Sequence, residues 1–135
     1  MSRIRLVQWQ IILFTALIGG CATAPVSLAS KSWTLHTIND ELLYGNKPIT
    51  LSFDNSEQLS GSTGCNRYRA SYSSDHGAIN IATIATTKKL CAPEIMEQEK
   101  RYLRILGDAA TYVDKCGRLK ISSQENEILR FNLQK

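Results

Sequence analysis

Beyond residue 31, apolar residues return at every second position through most of the chain. Trp33, Leu35 and Thr37 alternate with Thr34 and His36, which is the period of a half-buried strand. Ile49, Leu51 and Phe53 alternate with Thr50 and Ser52. A turn at Asp54-Asn55-Ser56 then allows Gln58 to Thr63 to return as a third strand. Asn66 to Ser73 is polar but places Tyr68 and Tyr72 on one face. Asp75-His76-Gly77 predicts a turn. Ala78 to Thr83 follows with Ile79 and Ile81 facing together, and Ile84 to Thr87 extends it after a bend. Thr111 to Val113, Leu119 with Ile121, and Ile128 to Leu133 close the series, with turns at Asp114 to Gly117 and Gln124 to Asn126. Earlier, Asn39-Asp40 and Gly45 to Pro48 bracket a loop that holds Leu42, Leu43 and Tyr44.

One segment breaks this alternation. Pro93 suits the first helical position, where its missing N–H is not needed. Glu94 in the first turn favours the helix dipole. Ile95, Gln98, Tyr102 and Leu106 form one stripe, widened by Met96, Leu103 and Ile105, and Gly107 is the stop. Lys100, Arg101 and Arg104, balanced by Glu94, Glu97 and Glu99, are expected on the exposed helix face as helix-supporting pairs. Seven or eight short strands with frequent turns and one helix predict a mainly β (α+β) domain, an antiparallel sandwich or small barrel with one packed α-helix.

The N-terminus follows a different pattern. Arg3 and Arg5 precede an uncharged, mostly apolar run from Ile11 to Gly20. The run is too short for a membrane helix, which needs about 20 residues, and fits the apolar region of a secretory signal. Ile18-Gly19-Gly20-Cys21 resembles the bacterial lipobox, an aliphatic residue and two small ones before a cysteine. That resemblance implies a signal peptide over 1–20, lipidation at Cys21 and a flexible tether over 21–31. Ala22 after the cysteine is non-acidic, which implies sorting to an outer membrane, facing the periplasm. The remaining domain, 32–135, has 104 residues, enough for one modest core and little cavity besides.

Charge adds little. The chain has 16 Lys and Arg against 12 Asp and Glu, a formal +4. Removing Arg3 and Arg5 leaves 14 against 12, or +2. A balance this even does not define a nucleic-acid partner.

Cysteine adds more. Cys65 and Cys91 lie in separate blocks of a chain read as exported, where a disulfide is the favoured reading. Such a closure stabilises by about 3–4 kcal/mol on chain-entropy reasoning. Two buried free thiols, or a metal or redox pair, are the alternatives. No Cys-x-x-Cys is present, and His36 and His76 lack zinc-ligand spacing to a cysteine, so no metal and no cofactor is expected. Cys116, in Asp114-Lys115-Cys116-Gly117, is left over as an exposed thiol or as a link to a second copy.

Gly61-Ser62-Thr63-Gly64-Cys65-Asn66-Arg67-Tyr68 with Tyr72, then Thr87 to Cys91, Pro93 and Gln98-Glu99, resembles the signature of the META-domain family, which includes HslJ-like heat-shock proteins. The ordered set spans Trp33 to Leu133. Its motif positions here are Gly61, Gly64, Cys65, Asn66, Arg67, Tyr68, Tyr72, Thr87, Cys91 and Glu99. Ala70 departs from the glycine often found before the second tyrosine. The resemblance implies a compact antiparallel barrel-like fold with one packed helix, in an envelope lipoprotein tied to stress or drug tolerance. It implies no reaction.

Other chemistry is weak. Ser71, Ser73, Ser74, Asp75 and His76 contain the residue types of a hydrolase triad, but sit in one turn, whereas triad members converge from separate elements. Gly61-x-x-Gly64 lacks the lysine and following helix of a phosphate loop. Arg67, Arg69, Lys88 and Lys89, with Tyr68 and Tyr72, form a candidate basic patch for an anionic molecule or a protein partner. The expectation is therefore a lipid-anchored, non-enzymatic envelope protein that binds a protein or small molecule. An inhibitor of a cell-wall lytic enzyme, plugging a cleft with an exposed loop at Ser60 to Tyr68, is the first alternative. An enzyme using Cys65 or Cys91 is the second.

Overall fold

The computed structural model describes residues 27–135. The signal segment, Cys21 and the start of the tether lie outside the described residues. Ten strands and one helix follow one another: β1 Lys31–Ile38, β2 Glu41–Leu42, β3 Thr50–Phe53, β4 Gln58–Ser62, β5 Arg67–Asp75, β6 Ala78–Ile81, β7 Ala85–Thr86, α1 Pro93–Gly107, β8 Ala109–Lys115, β9 Arg118–Ser123 and β10 Ile128–Leu133. Eight of them run antiparallel around a closed barrel in the order β1-β3-β4-β5-β6-β8-β9-β10, with β10 returning to β1. The first and last strands therefore seal the cylinder, Trp33 facing Leu133 and Ile38 facing Leu129. Closure leaves no long sheet edge to recruit another chain.

The two short strands are additions. β2 pairs with the end of β1 inside the segment expected to be a loop. β7 does not continue β6: it pairs with β5, Tyr68 facing Thr86 and Arg69 facing Ala85. Leu28 is buried, and β1 begins at Lys31, so ordered packing starts a few residues before Ser32.

Alternation places the core. Trp33, Leu35, Leu51, Phe53, Leu59, Tyr68, Ala70, Tyr72, Ile79 and Ile81 all face inward from successive strands. The later strands add Leu119, Ile121, Leu129 and Phe131, every one of them buried. A barrel of eight strands has an interior just wide enough for side chains to fill.

The helix supplies the remaining packing. Pro93 stands in its first turn with Glu94, and Arg104 lies in its last, as the capping and dipole rules require. Its buried stripe is Gln98, Glu99, Tyr102, Ile105 and Leu106. Tyr102 packs edge-on to both Tyr68 and Phe131 at 5.7 and 6.4 Å between ring centroids, within the range such rings favour.

Two expectations for the helix surface are corrected. Glu99 is buried, not part of an exposed charged face. Arg101 and Arg104 pair with Glu41 and Glu127 on other elements, not with glutamates of their own helix. These contacts fasten α1 to the β1–β2 and β9–β10 regions, which helical pairs could not do.

Candidate functional site

β5 carries most of the distinctive residues, and its pleat divides them. Asn66, Tyr68, Ala70 and Tyr72 are buried, whereas Arg67, Arg69 and Ser71 are exposed. The inward set builds a polar staple, and the outward set lines a groove.

The staple begins at the tight bend between β4 and β5. Gly64 there has φ +85°, a conformation that favours glycine. Gly61 faces a different constraint: a Cβ at that position would stand 1.9 Å from the Thr50 carbonyl oxygen and 2.7 Å from the Tyr68 hydroxyl. Thr63 and Asn66 are thereby turned inside. The Thr63 hydroxyl hydrogen-bonds the Glu99 carboxylate and accepts from the Asn66 backbone N–H at 2.8 Å. The Asn66 amide donates to Glu99 at 2.9 Å and to the Lys89 carbonyl at 3.0 Å. Its oxygen accepts from the Thr87 hydroxyl at 2.8 Å and the Lys89 N–H at 2.7 Å. Two donors and two acceptors exhaust what one amide can make.

A second link runs alongside. Cys65 and Cys91 form a disulfide across 26 positions of sequence, and Met96 packs its sulfur 3.8 Å from Cys65 Sγ. The segment from Thr87 to Cys91, which has no strand or helix of its own, is thus held by an asparagine at one end and a disulfide at the other. Glu99 fixes the same asparagine to α1. The Tyr68 hydroxyl donates to the Thr50 carbonyl at 2.7 Å and meets the Tyr102 hydroxyl at 2.6 Å. Burial pushes both phenols well above their ordinary pKa. They stay neutral and act as hydrogen-bonding struts.

These positions revise the sequence reading in three ways. Tyr68 and Tyr72 do not belong to a surface patch, being 3% and 8% exposed inside the barrel. The segment Ser60 to Tyr68 is not a protruding plug, since Thr63 and Asn66 are buried at 0% and 2% exposure. Cys116 sits exposed in the β8–β9 turn, as expected, but is not the free thiol that was one of its two readings. Sequence reasoning gave Thr63 and Thr50 no role in the site, and gave Tyr102 only its place on the helix stripe. Thr63 could have been found from its place inside the Gly61 to Asn66 bend, where a threonine can bond to nearby backbone. Thr50 acts through its carbonyl, which no side-chain pattern reveals.

The outward set is arranged differently. Arg67, Arg69, Lys88 and Lys89 remain exposed. Arg67 and Arg69 line a groove of about 570 Å³ on the outer wall formed by β3, β4, β5 and β7, with hydroxyl side chains including Ser52, Ser60, Ser62 and Thr86. Asp75 and His76 touch in an exposed turn. Their side chains have no serine hydroxyl partner among the described residues.

The order of the staple residues along the chain is that of the META signature, and the META-domain profile matches residues 26–135. The chain belongs to the META-domain family. Solved structures share the fold of this META domain. An NMR structure of a protein from Burkholderia xenovorans is 24% identical, covers 80% of this chain and 84% of its own, and superposes with a TM-score of 0.66. A crystal structure of a DUF4847-family protein from Bacteroides vulgatus is 12% identical, covers 78% and 93%, and has a TM-score of 0.59. No curated protein matches the chain.

Proposed function

We propose that this META-domain protein is a lipid-anchored envelope component, linked to stress or drug tolerance, that acts by binding a protein or small molecule and not by catalysing a reaction. The observation that carries this reading is the division of β5. Apart from Arg67, the family's polar motif turns inward and spends its hydrogen-bonding capacity within the network of Thr63, Asn66, Thr87, Lys89 and Glu99. Cys65 and Cys91 are joined to each other, so neither is a resting nucleophile. On β5, the groups left to meet another molecule are those of the outer wall. Anchoring at Cys21, in an outer membrane and facing the periplasm, is supported by the basic start, short apolar run and placed cysteine of the sequence.

Intact mass of the protein isolated from membranes tests the anchor. A diacylglyceryl thioether at Cys21 is expected. An uncut N-terminus, or a Cys21 joined to Cys116, overturns it, because a lipidated sulfur cannot also form a disulfide. Crosslinking in the native envelope tests the binding role. Reproducible capture of one partner is expected, and its absence over repeated trials counts against the role.

A further inference from the structure

Register fixes which side chains meet on the outer wall. Ser52 stands opposite Ser60 across β3–β4, and Ser60 opposite Arg69 across β4–β5. Arg69 stands opposite Ala85 across β5–β7, and one pleat along, Ser62 lies opposite Arg67. Residues two apart on a strand share a face, roughly 7 Å apart. Two guanidinium side chains therefore spring side by side from a floor of hydroxyls. Ala85 leaves the flank of Arg69 open.

The groove's charge is not compensated from within its lining. Arg101, Arg104 and Arg130 each pair with a carboxylate, on Glu41, Glu127 and Asp40. The groove lining holds two arginines and no carboxylate, and among the described residues Arg67 and Arg69 have no ion-pair partner. The hydroxyls of Ser60 and Thr86 also make no hydrogen bond within the described residues. Like charges this close repel, and an anion seated between them removes that repulsion. A guanidinium fork matches a phosphate in both charge and planar donor geometry. Hydroxyls, able to donate and accept, match those of a sugar. The volume falls within the range of small-ligand sites.

We propose that this groove binds a phosphate ester of a sugar or polyol, with the phosphate between Arg67 and Arg69 and the ligand hydroxyls along Ser60 and Thr86. The site deepens the binding role proposed above and rests on it. The ligand's source is either a soluble sugar phosphate or the headgroup of a phosphoglycerol lipid, since both present the same groups. An open groove leaves the ion pairs exposed to solvent, so binding weakens as salt rises.

Amide-resolved NMR titration of the purified protein separates the outcomes, with glucose 6-phosphate as one probe and phosphatidylcholine vesicles carrying phosphatidylglycerol as the other. Saturable shifts at residues 52, 60, 67–69 and 85–87 are expected with at least one probe, and none with glucose or pure phosphatidylcholine. The double variant R67S/R69S is expected to bind about tenfold more weakly or worse. Ala85→Glu, which sets a carboxylate beside Arg69 at an exposed position, is expected to weaken binding without changing the fold. Absence of saturable shifts with both probes overturns the site, as does wild-type affinity in R67S/R69S. Absence of saturable shifts with both probes, together with a partner captured in the envelope, overturns the groove but keeps the broader binding role. Saturable binding here with no captured protein keeps the groove and limits that role to small molecules.

Discussion

The two sides of β5 use the same strand for opposite ends. Inward, Asn66 has every hydrogen-bonding position filled, and Tyr68 shares its hydroxyl with Thr50 and Tyr102. Outward, one residue away in each case, Arg67 and Arg69 lack a charge partner among the described residues. A buried polar group that loses its partner costs the full desolvation penalty, whereas a solvated one costs little. The inner side is therefore where substitution harms the fold, and the outer side is where it harms only what the fold presents. A motif read along the sequence mixes the two, because the pleat sends neighbours in opposite directions.

Substitutions can break that contrast, the largest effect first. Asn66→Ala leaves Glu99 short of donors and frees the Thr87 to Cys91 segment. A loss of about 3–4 kcal/mol is expected by denaturant unfolding. If the loss were under about 1 kcal/mol, the staple would not be the support described here. Removing the disulfide as C65S/C91S is expected to cost about 2–4 kcal/mol by the same measurement. Tyr68→Phe leaves the Tyr102 hydroxyl and the Thr50 carbonyl without their partner. It is expected to cost about 1–2 kcal/mol with the fold retained by circular dichroism.

The outer side predicts smaller changes. Glu127 receives the Arg104 guanidinium, with one N–H···O bond at 2.9 Å, and this contact, helped by Asn39, holds its carboxyl below the usual range. A lowered folded-state pKa gives a contribution present above the ordinary carboxylate pKa and lost as pH falls through the folded value. Glu127→Gln should thus lower the melting temperature slightly near neutral pH. The difference from wild type should shrink in acid, because Arg104 keeps its charge while Glu127 loses it. A gap that widens in acid would contradict this. R67S/R69S is expected to leave stability within about 0.5 kcal/mol of wild type, since no internal partner is lost.

The sequence made the strands readable and left their closure obscure. Alternation located Trp33, Leu51, Phe53, Ile79 and Ile121 correctly, because burial on one face imposes a period of two. The helix was readable from Pro93 and its apolar stripe. Glu99 was misplaced because a carboxylate on a helix beside lysines and arginines looks like a solvated face. Its donors, Thr63 and Asn66, arrive from 36 and 33 residues away in sequence. Tyr68 and Tyr72 were correctly given a shared face, but the arginines on either side of Tyr68 suggested a common surface. The groove escaped notice for a related reason. Ser52, Ser60 and Arg69 come from three strands, and only register aligns them.

The seam between β1 and β10 has a consequence for when the domain can form. Trp33 and Leu133 are partners at opposite ends of the described chain. A ribosome making this protein has exposed β1 long before Ile128 to Leu133 exist, and until then no cylinder can close. Such long-range pairing slows folding relative to local contacts. The barrel therefore commits to its shape only when β10 reaches β1.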